Sequence, residues 1–157
     1  MQPTIHYQFD LPGRQREIAS LIHHEFWTEV PGASVEAMQT RIAAGQYRDM
    51  LPLTLAALDG DTLCGVVNLV DNDDENQPEW GPWLAGMVVA KPWRGKGVGS
   101  ALVLRLLDEA RRQGHPRVYF GTDGPGFYTR LGAVPHQQGR RADFWFMRFD
   151  LAAKREA

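Results

Sequence analysis

The sequence predicts an α/β (α+β) fold, a sheet flanked by helices, and three observations carry that prediction. Residues 81–112 pass from an apolar run through a basic glycine loop into an amphipathic helix. Residues 51–70 read as two strands about an Asp59-Gly60 turn. Helical rhythm near the N-terminus and short apolar runs near the C-terminus complete the order β-α-α-β-β-β-α-β-α-β. A length of 157 residues suits a single domain, 1–157, with one core.

Thr4 to Phe9 alternates, with Ile5, Tyr7 and Phe9 on one face, and predicts the first strand. Pro12-Gly13 turns the chain. Gln15 to Trp27 is a helix, with Ile18, Leu21, Ile22 and Phe26 in helical rhythm. Val30-Pro31-Gly32-Ala33 breaks it, and Ser34 is an N-cap for a second helix over 35–44. Leu51 to Leu58 and Thr62 to Val70 are the hairpin strands, and Asp71 to Pro78 is an acidic loop. Gly81 to Val89 forms the central strand, which Pro92 stops because proline cannot donate to a ladder. From Val98 the period changes: Val98, Leu102, Leu106 and Ala110 form one stripe, widened by Ala101 and Leu104. Gly114-His115-Pro116 ends that helix. Arg117 to Gly121 is a strand, Phe127 to Leu131 a short helix, and Asp143 to Leu151 the closing strand.

The overall balance excludes some classes of function. A net charge of −2 gives no footprint for nucleic acid or an anionic membrane. There is no apolar run of membrane-spanning length and no signal-peptide pattern after Met1. Cys64 stands alone, so no internal disulfide forms, and a reducing cytoplasm is expected. His6, His115 and His136 have no metal-ligand spacing, so no metal is expected.

Arg94-Gly95-Lys96-Gly97-Val98-Gly99 is the most informative stretch. Three alternating glycines let successive backbone N–H groups turn inward with no Cβ in the way. They sit at a helix start, where donors are unpaired and the dipole is positive. With Arg94 and Lys96 this is a cradle for phosphate or pyrophosphate, or else an ordinary tight strand-to-helix turn. A P-loop needs a different spacing. A dinucleotide fingerprint would need glycine at Ser100 and an acid earlier than Asp123.

What does fit is Arg94-x-x-Gly97-x-Gly99. It resembles the central motif of the GNAT superfamily of acyl-CoA-dependent N-acetyltransferases. Gly126-Phe127-Tyr128-Thr129-Arg130-Leu131-Gly132-Ala133 is similar to a second segment of that family. The resemblance covers nearly the whole chain and implies a mixed, mostly antiparallel central sheet. It implies that Arg94, Gly95, Lys96, Gly97, Val98, Gly99 and Ser100 hold the CoA pyrophosphate. It implies that the backbone of Met87, Val88 and Val89 pairs with the pantetheine arm. Gly121 and Gly124 depart from the family pattern, which has Asn and Ala there, so Thr122 or backbone stands in for the Asn contact.

Tyr128 matches the tyrosine that commonly protonates the departing thiolate in the family; otherwise it is an aromatic packed on the sheet. The general base is less defined, because Trp83 stands where several members carry a glutamate. Glu79 is the nearest replacement, with Asp73, Asp74, His23, His24 and Glu25 as other candidates. A base matters because the amine attacks only when neutral: a lysine-like amine is neutral in roughly one molecule in 2,500 at pH 7, an α-amine in roughly one in seven. Trp27, Trp80 and Trp83 are candidate walls of an acceptor pocket, or core. The acidic loop either attracts a cationic amine or is simply solvated.

The expected function is direct acetyl transfer from acetyl-CoA to a primary amine of a small molecule or a peptide. The alternatives are an acyl-CoA-sensing module without catalysis and a nucleotide-binding domain. No nucleic-acid or membrane partner is expected, and the family analogy suggests a homodimer.

Overall fold

The structure is a computed structural model and describes residues 3–151. Seven strands form one sheet: β1 (Thr4–Tyr7), β2 (Leu53–Asp59), β3 (Thr62–Val70), β4 (Trp83–Val89), β5 (Arg117–Thr122), β6 (Val134–Gln138) and β7 (Trp145–Asp150). The helices are α1 (Gln15–Phe26), α2 (Val35–Ala43), α3 (Val98–Arg112) and α4 (Pro125–Arg130). The spatial order is β1-β2-β3-β4-β5-β7-β6. Every neighbouring pair is antiparallel except β4 and β5. A parallel pair needs a crossover, and α3 is that crossover.

The helices divide between the two faces. On one, Leu102, Val103, Leu106 and Leu107 of α3 pack against Leu55, Leu69, Leu84 and Phe120 of the sheet. The stripe widens toward Val103 and Leu107. Ala101 and Leu104 are exposed, Leu104 by 47%, so their expected place in the stripe is corrected. On the other face Ile18, Ile22, Met38 and Ile42 of α1 and α2 cover Ala56, Val66 and Val88. Burying each such side chain contributes roughly 1.5–3 kcal/mol. Ser34 caps α2 as expected, its Oγ accepting from the Ala37 N–H at 3.0 Å.

Two elements differ from the sequence expectation. β6 was not foreseen. Its sequence Val-Pro-His-Gln-Gln has no apolar alternation because it is an edge strand, mostly exposed and, among the described residues, paired only to β7. Pro135 is tolerated there because an edge strand has a side with no ladder to feed. The chain also leaves β1 at Tyr7 and makes a helical turn over Gln8–Asp10. There Gln8 is buried and its Nε2 donates to the Gly45 carbonyl. Among the described residues no helix is long and apolar enough to cross a membrane.

Candidate active site

The site is built where the sheet comes apart. β4 and β5 pair at Trp83↔Tyr119 alone, and the Tyr119 N–H donates to the Pro82 carbonyl at 3.0 Å. Beyond that point no strand among the described residues lies beside the outer edge of β4. The β3–β4 register slips between Val66 and Asn68, so Gly86 and Met87 together face Val67 in a bulge. Gly86 takes φ +57°, and a Cβ there would lie 2.8 Å from Asn68 Nδ2. Asn68 holds the bulge: Nδ2 donates to the Ala85 carbonyl at 3.2 Å, and Oδ1 accepts from Thr54 Oγ1 at 2.7 Å. Both polar side chains are buried, which makes this closed pair costly to break. Sequence reasoning missed it. The signal was a lone Asn inside the apolar run Val66-Val67-Asn68-Leu69-Val70, with a glycine, Gly86, inside the next strand.

Beside this splayed edge α3 begins. Gly97 is its N-cap, at φ +84°, with no side chain bonded to the free N–H groups of the first turn. Gly95 is at φ +75°, and a Cβ at either glycine would meet nothing within 4 Å. The turn is thus left-handed, open and lined by backbone, which is the shape a pyrophosphate needs. Gly99 has a different task. It is buried, and a Cβ there would come within 3.3 Å of Phe127 Cζ and 3.4 Å of Val89 Cγ2. Val98 is buried in the core, Ser100 is half-buried and Lys96 is exposed at the rim. Arg94 folds back, its Nε donating to the Val89 carbonyl at 2.9 Å and its Nη2 lying 3.6 Å from Glu25 Oε2. The residues present therefore fit the CoA pyrophosphate.

A cavity of about 650 Å³ opens onto the splay. β4 gives it Trp83, Ala85, Gly86 and Met87; the end of β5 gives Gly121, Thr122 and Asp123; α4 gives Tyr128. α1 and the turn after it add Glu25, Phe26 and Trp27, and the β3–β4 loop adds Asp73 and Asp74. Thr122 Oγ1 accepts from the Gly124 N–H at 2.9 Å, which fixes it at the cavity wall. Tyr128 packs on Phe120 and Phe127, with ring centroids 4.4 and 4.9 Å away. Burial alone pushes its hydroxyl up to about 12, so it stays protonated wherever an amine titrates. Asp73 is exposed at the mouth yet crowded by the cavity walls. That desolvation and the charge of Asp74 raise its carboxyl to about 6, with Arg41 opposing.

Some expected residues lie elsewhere. Glu79 is exposed and does not line the cavity, and Trp80 does not line it either. The Trp80 ring stacks on Tyr119 at 5.8 Å and meets His136 edge-on at 4.5 Å, which carries the preceding Glu79 away from the cavity. Trp80 instead buttresses Trp83, accepting from its Nε1 through the backbone carbonyl at 2.6 Å. Trp27 and Trp83 do reach the cavity, Trp83 as a buried wall. His23 and His24 stay outside it; His24 Nδ1 is bonded to the Ser20 carbonyl at 2.7 Å.

The departure at Gly121 has a steric cause. A Cβ there would lie 2.5 Å from Phe144 Cζ, and one at Gly139 would lie 2.6 Å from Phe144 Cδ1. Two glycines therefore admit the Phe144 ring against the end of β5, where the family pattern places an Asn side chain. Gly121→Asn should overpack this seat and cost about 1–3 kcal/mol. For a chain of this size that lowers Tm by roughly 2–12 °C in a thermal melt. An unchanged Tm would mean that the Phe144 ring is not seated on Gly121.

Among the described residues no group of three or more His, Cys, Asp or Glu is placed to hold a metal ion. No curated protein matches the sequence. Solved structures do match in fold. An aminoglycoside 6′-acetyltransferase type Ii is 20% identical, covers 97% of this chain and 99% of its own, and superposes with a TM-score of 0.72. An aminoglycoside 6′-N-acetyltransferase complexed with coenzyme A is 18% identical, with coverages of 98% and 99% and a TM-score of 0.71. The Salmonella typhimurium protein yncA, solved with its cofactor acetyl-CoA, is 21% identical, with coverages of 100% and 98% and a TM-score of 0.71. The acetyltransferase (GNAT) family model matches residues 18–133, a span that runs from α1 through the bulged β4, the glycine cradle and Tyr128. With that match over most of its length, the chain belongs to the GNAT family of acetyltransferases.

Proposed function

We propose that this chain, as a single domain, transfers an acetyl group from acetyl-CoA directly to a primary amine of a small molecule or peptide. One observation carries the reading: Tyr128 and the free edge of β4 line one cavity, and the glycine turn that opens α3 packs on that edge, where a Cβ at Gly99 would lie 3.4 Å from Val89 Cγ2 and 3.6 Å from Met87 Cε. Acetyl-CoA supplies the activated acyl thioester. The backbone N–H groups from Gly95 to Ser100 hold its pyrophosphate, with Arg94 and Lys96 adding charge. The β4 backbone at Met87–Val89 pairs with the pantetheine arm and donates toward the thioester oxygen, where negative charge develops. Thr122 borders the arm from β5.

The amine nitrogen bonds to the acyl carbon as the C–S bond breaks. Its surplus proton passes to a base, and the Tyr128 hydroxyl donates to the departing sulfur. Asp73 is the base that the cavity supports best, replacing the expected Glu79. It lines the cavity, and its carboxyl near 6 is ionised at neutral pH yet far more basic than an ordinary aspartate. Trp27 and Trp83 wall the acceptor, and Asp73 and Asp74 attract its positive charge. Cys64 takes no part. It is fully buried, and burial pushes its thiol up, which makes it a poor nucleophile and favours direct transfer.

The test is a thermal-shift titration with acetyl-CoA, CoA, NAD and ATP, followed by a thiol-release screen over primary amines. Stabilisation by the CoA species alone, about 2.7 kcal/mol at a hundred times Kd, supports the cradle. A shift with NAD or ATP overturns it, and a CoA shift with no amine turned over favours a sensing module.

The base makes its own prediction. With Asp73 ionised in the active form, kcat/KM falls as pH drops through about 6, on top of the loss caused by protonation of the amine. Asp73→Asn should remove that second acid limb and lower kcat about a hundredfold. A change confined to KM would leave Asp73 only an attractive role. Glu79→Gln should stay within about twofold of wild type, since Glu79 does not border the cavity.

A further inference from the structure

A second cavity, of about 450 Å³, adjoins the first and shares Asp74, Phe144 and Phe146 with it. Its character is opposite. The main cavity carries Glu25, Asp73, Asp74 and Asp123 against one cation, Arg41. The annex carries Arg140 and Arg141, with the amides of Asn76, Gln77, Gln137 and Gln138, against Asp74 at the junction.

The boundary between the two is built. Phe144 is seated there by Gly121 and Gly139, and the Gly139 N–H donates to the Phe144 carbonyl at 2.8 Å. The Arg141 guanidinium lies 5.4 Å over the Phe144 ring, which fixes its direction. Its ion pair with Asp143 is stretched to 4.0 Å, with both side chains mostly exposed, and Arg140 has no ion pair among the described residues. Two guanidiniums with unspent donors, ringed by neutral amides, suit a carboxylate.

We propose that the annex binds a carboxylate at the far end of the acceptor, and that the acceptor is a molecule with an amine and a carboxylate separated by a spacer. The amine end sits among the acids beside Tyr128, the spacer lies along Phe144 and Phe146, and the carboxylate meets Arg140 and Arg141. The polarity of the groove then orients the substrate: the reverse placement sets carboxylate against Asp73 and Asp74, and ammonium against two guanidiniums. This deepens the acetyl-transfer reading and rests on it for the amine end alone.

The probes are 6-aminohexanoate and glycylglycine, each beside its C-terminal amide, with hexylamine as a carboxylate-free reference. Thiol release from acetyl-CoA should give kcat/KM at least about tenfold higher for each acid than for its amide. The double variant Arg140→Gln, Arg141→Gln should bring that ratio to about one through KM, leaving hexylamine turnover and acetyl-CoA affinity unchanged. Both side chains are exposed, so the fold is not at risk. Equal rates for acid and amide in the wild type, or a ratio that survives in the double variant, overturn the proposal. The same pairs are titrated calorimetrically into CoA-loaded protein. A preference for the acids there, with no thiol released from any amine, sinks the transfer reading and keeps the annex. Thiol release with no preference in either assay sinks the annex and keeps the transfer.

Discussion

Tyr128→Phe is expected to lower kcat by about 10²- to 10³-fold, with acetyl-CoA affinity unchanged within about twofold. The ring is held by Phe120 and Phe127, and phenylalanine keeps both contacts, so the fold survives. What is lost is the hydroxyl. Burial pushes it up to about 12, and a free thiol titrates near 8.5. Moving the proton wholly from this phenol to such a thiolate is uphill by about 5 kcal/mol. The hydroxyl therefore acts chiefly as a donor to the sulfur while charge gathers there. That interaction exists in the transition state and not in the ground state, so its loss appears in kcat and not in KM. Steady-state thiol release and a calorimetric titration with acetyl-CoA separate the two. A variant within threefold of wild type would remove Tyr128 from the chemistry. One that no longer binds acetyl-CoA would make it a structural residue of the cradle wall.

Local demands were the most legible part of this chain. The glycine turn before α3 could be read because left-handed backbone at Gly95 and Gly97 requires glycine, whatever lies around it. Ser34 as a cap is local in the same way, and so is the turn expected at Asp59-Gly60, which lies one residue later, at Gly60 and Asp61, because Asp59 still pairs with Thr62. What could not be read depends on partners distant in sequence. Leu104 has the periodicity of a core residue and is exposed, while Val103 is buried, because the sheet decides which flank of α3 is covered. β6 carries no apolar pattern, since an edge strand needs only one paired side. Glu79 is only four residues from Trp83, but the stacking of Trp80 on Tyr119 carries it off the cavity. Phe144 lies 23 positions after Gly121, and only the fold brings its ring against that glycine. Asn68 was visible as a polar residue in an apolar strand; its meaning appears only with Thr54 and the bulge at Gly86 beside it.

Gly97→Glu should weaken acetyl-CoA binding by more than a hundredfold, and Gly97→Ala by much less. Both substitutions place a Cβ residue at φ +84°, where an L-residue pays about 1–2 kcal/mol, so both should lower Tm by roughly 2–8 °C. Space is not the difference, since nothing lies within 4 Å of a Cβ there. Charge is. A carboxylate about 5 Å from one phosphate charge costs about 3 kcal/mol at an effective dielectric near 20, and that alone is more than a hundredfold in Kd. It also offsets the positive end of α3 that favours the anion. The gap between the two variants should narrow at about 0.5 M salt, because the loop is exposed and the repulsion is screened. Calorimetry at two salt concentrations reads all of this. Equal losses in the two variants would mean that backbone strain, and not an anion seated on α3, governs the site; no loss in either would place the cofactor elsewhere.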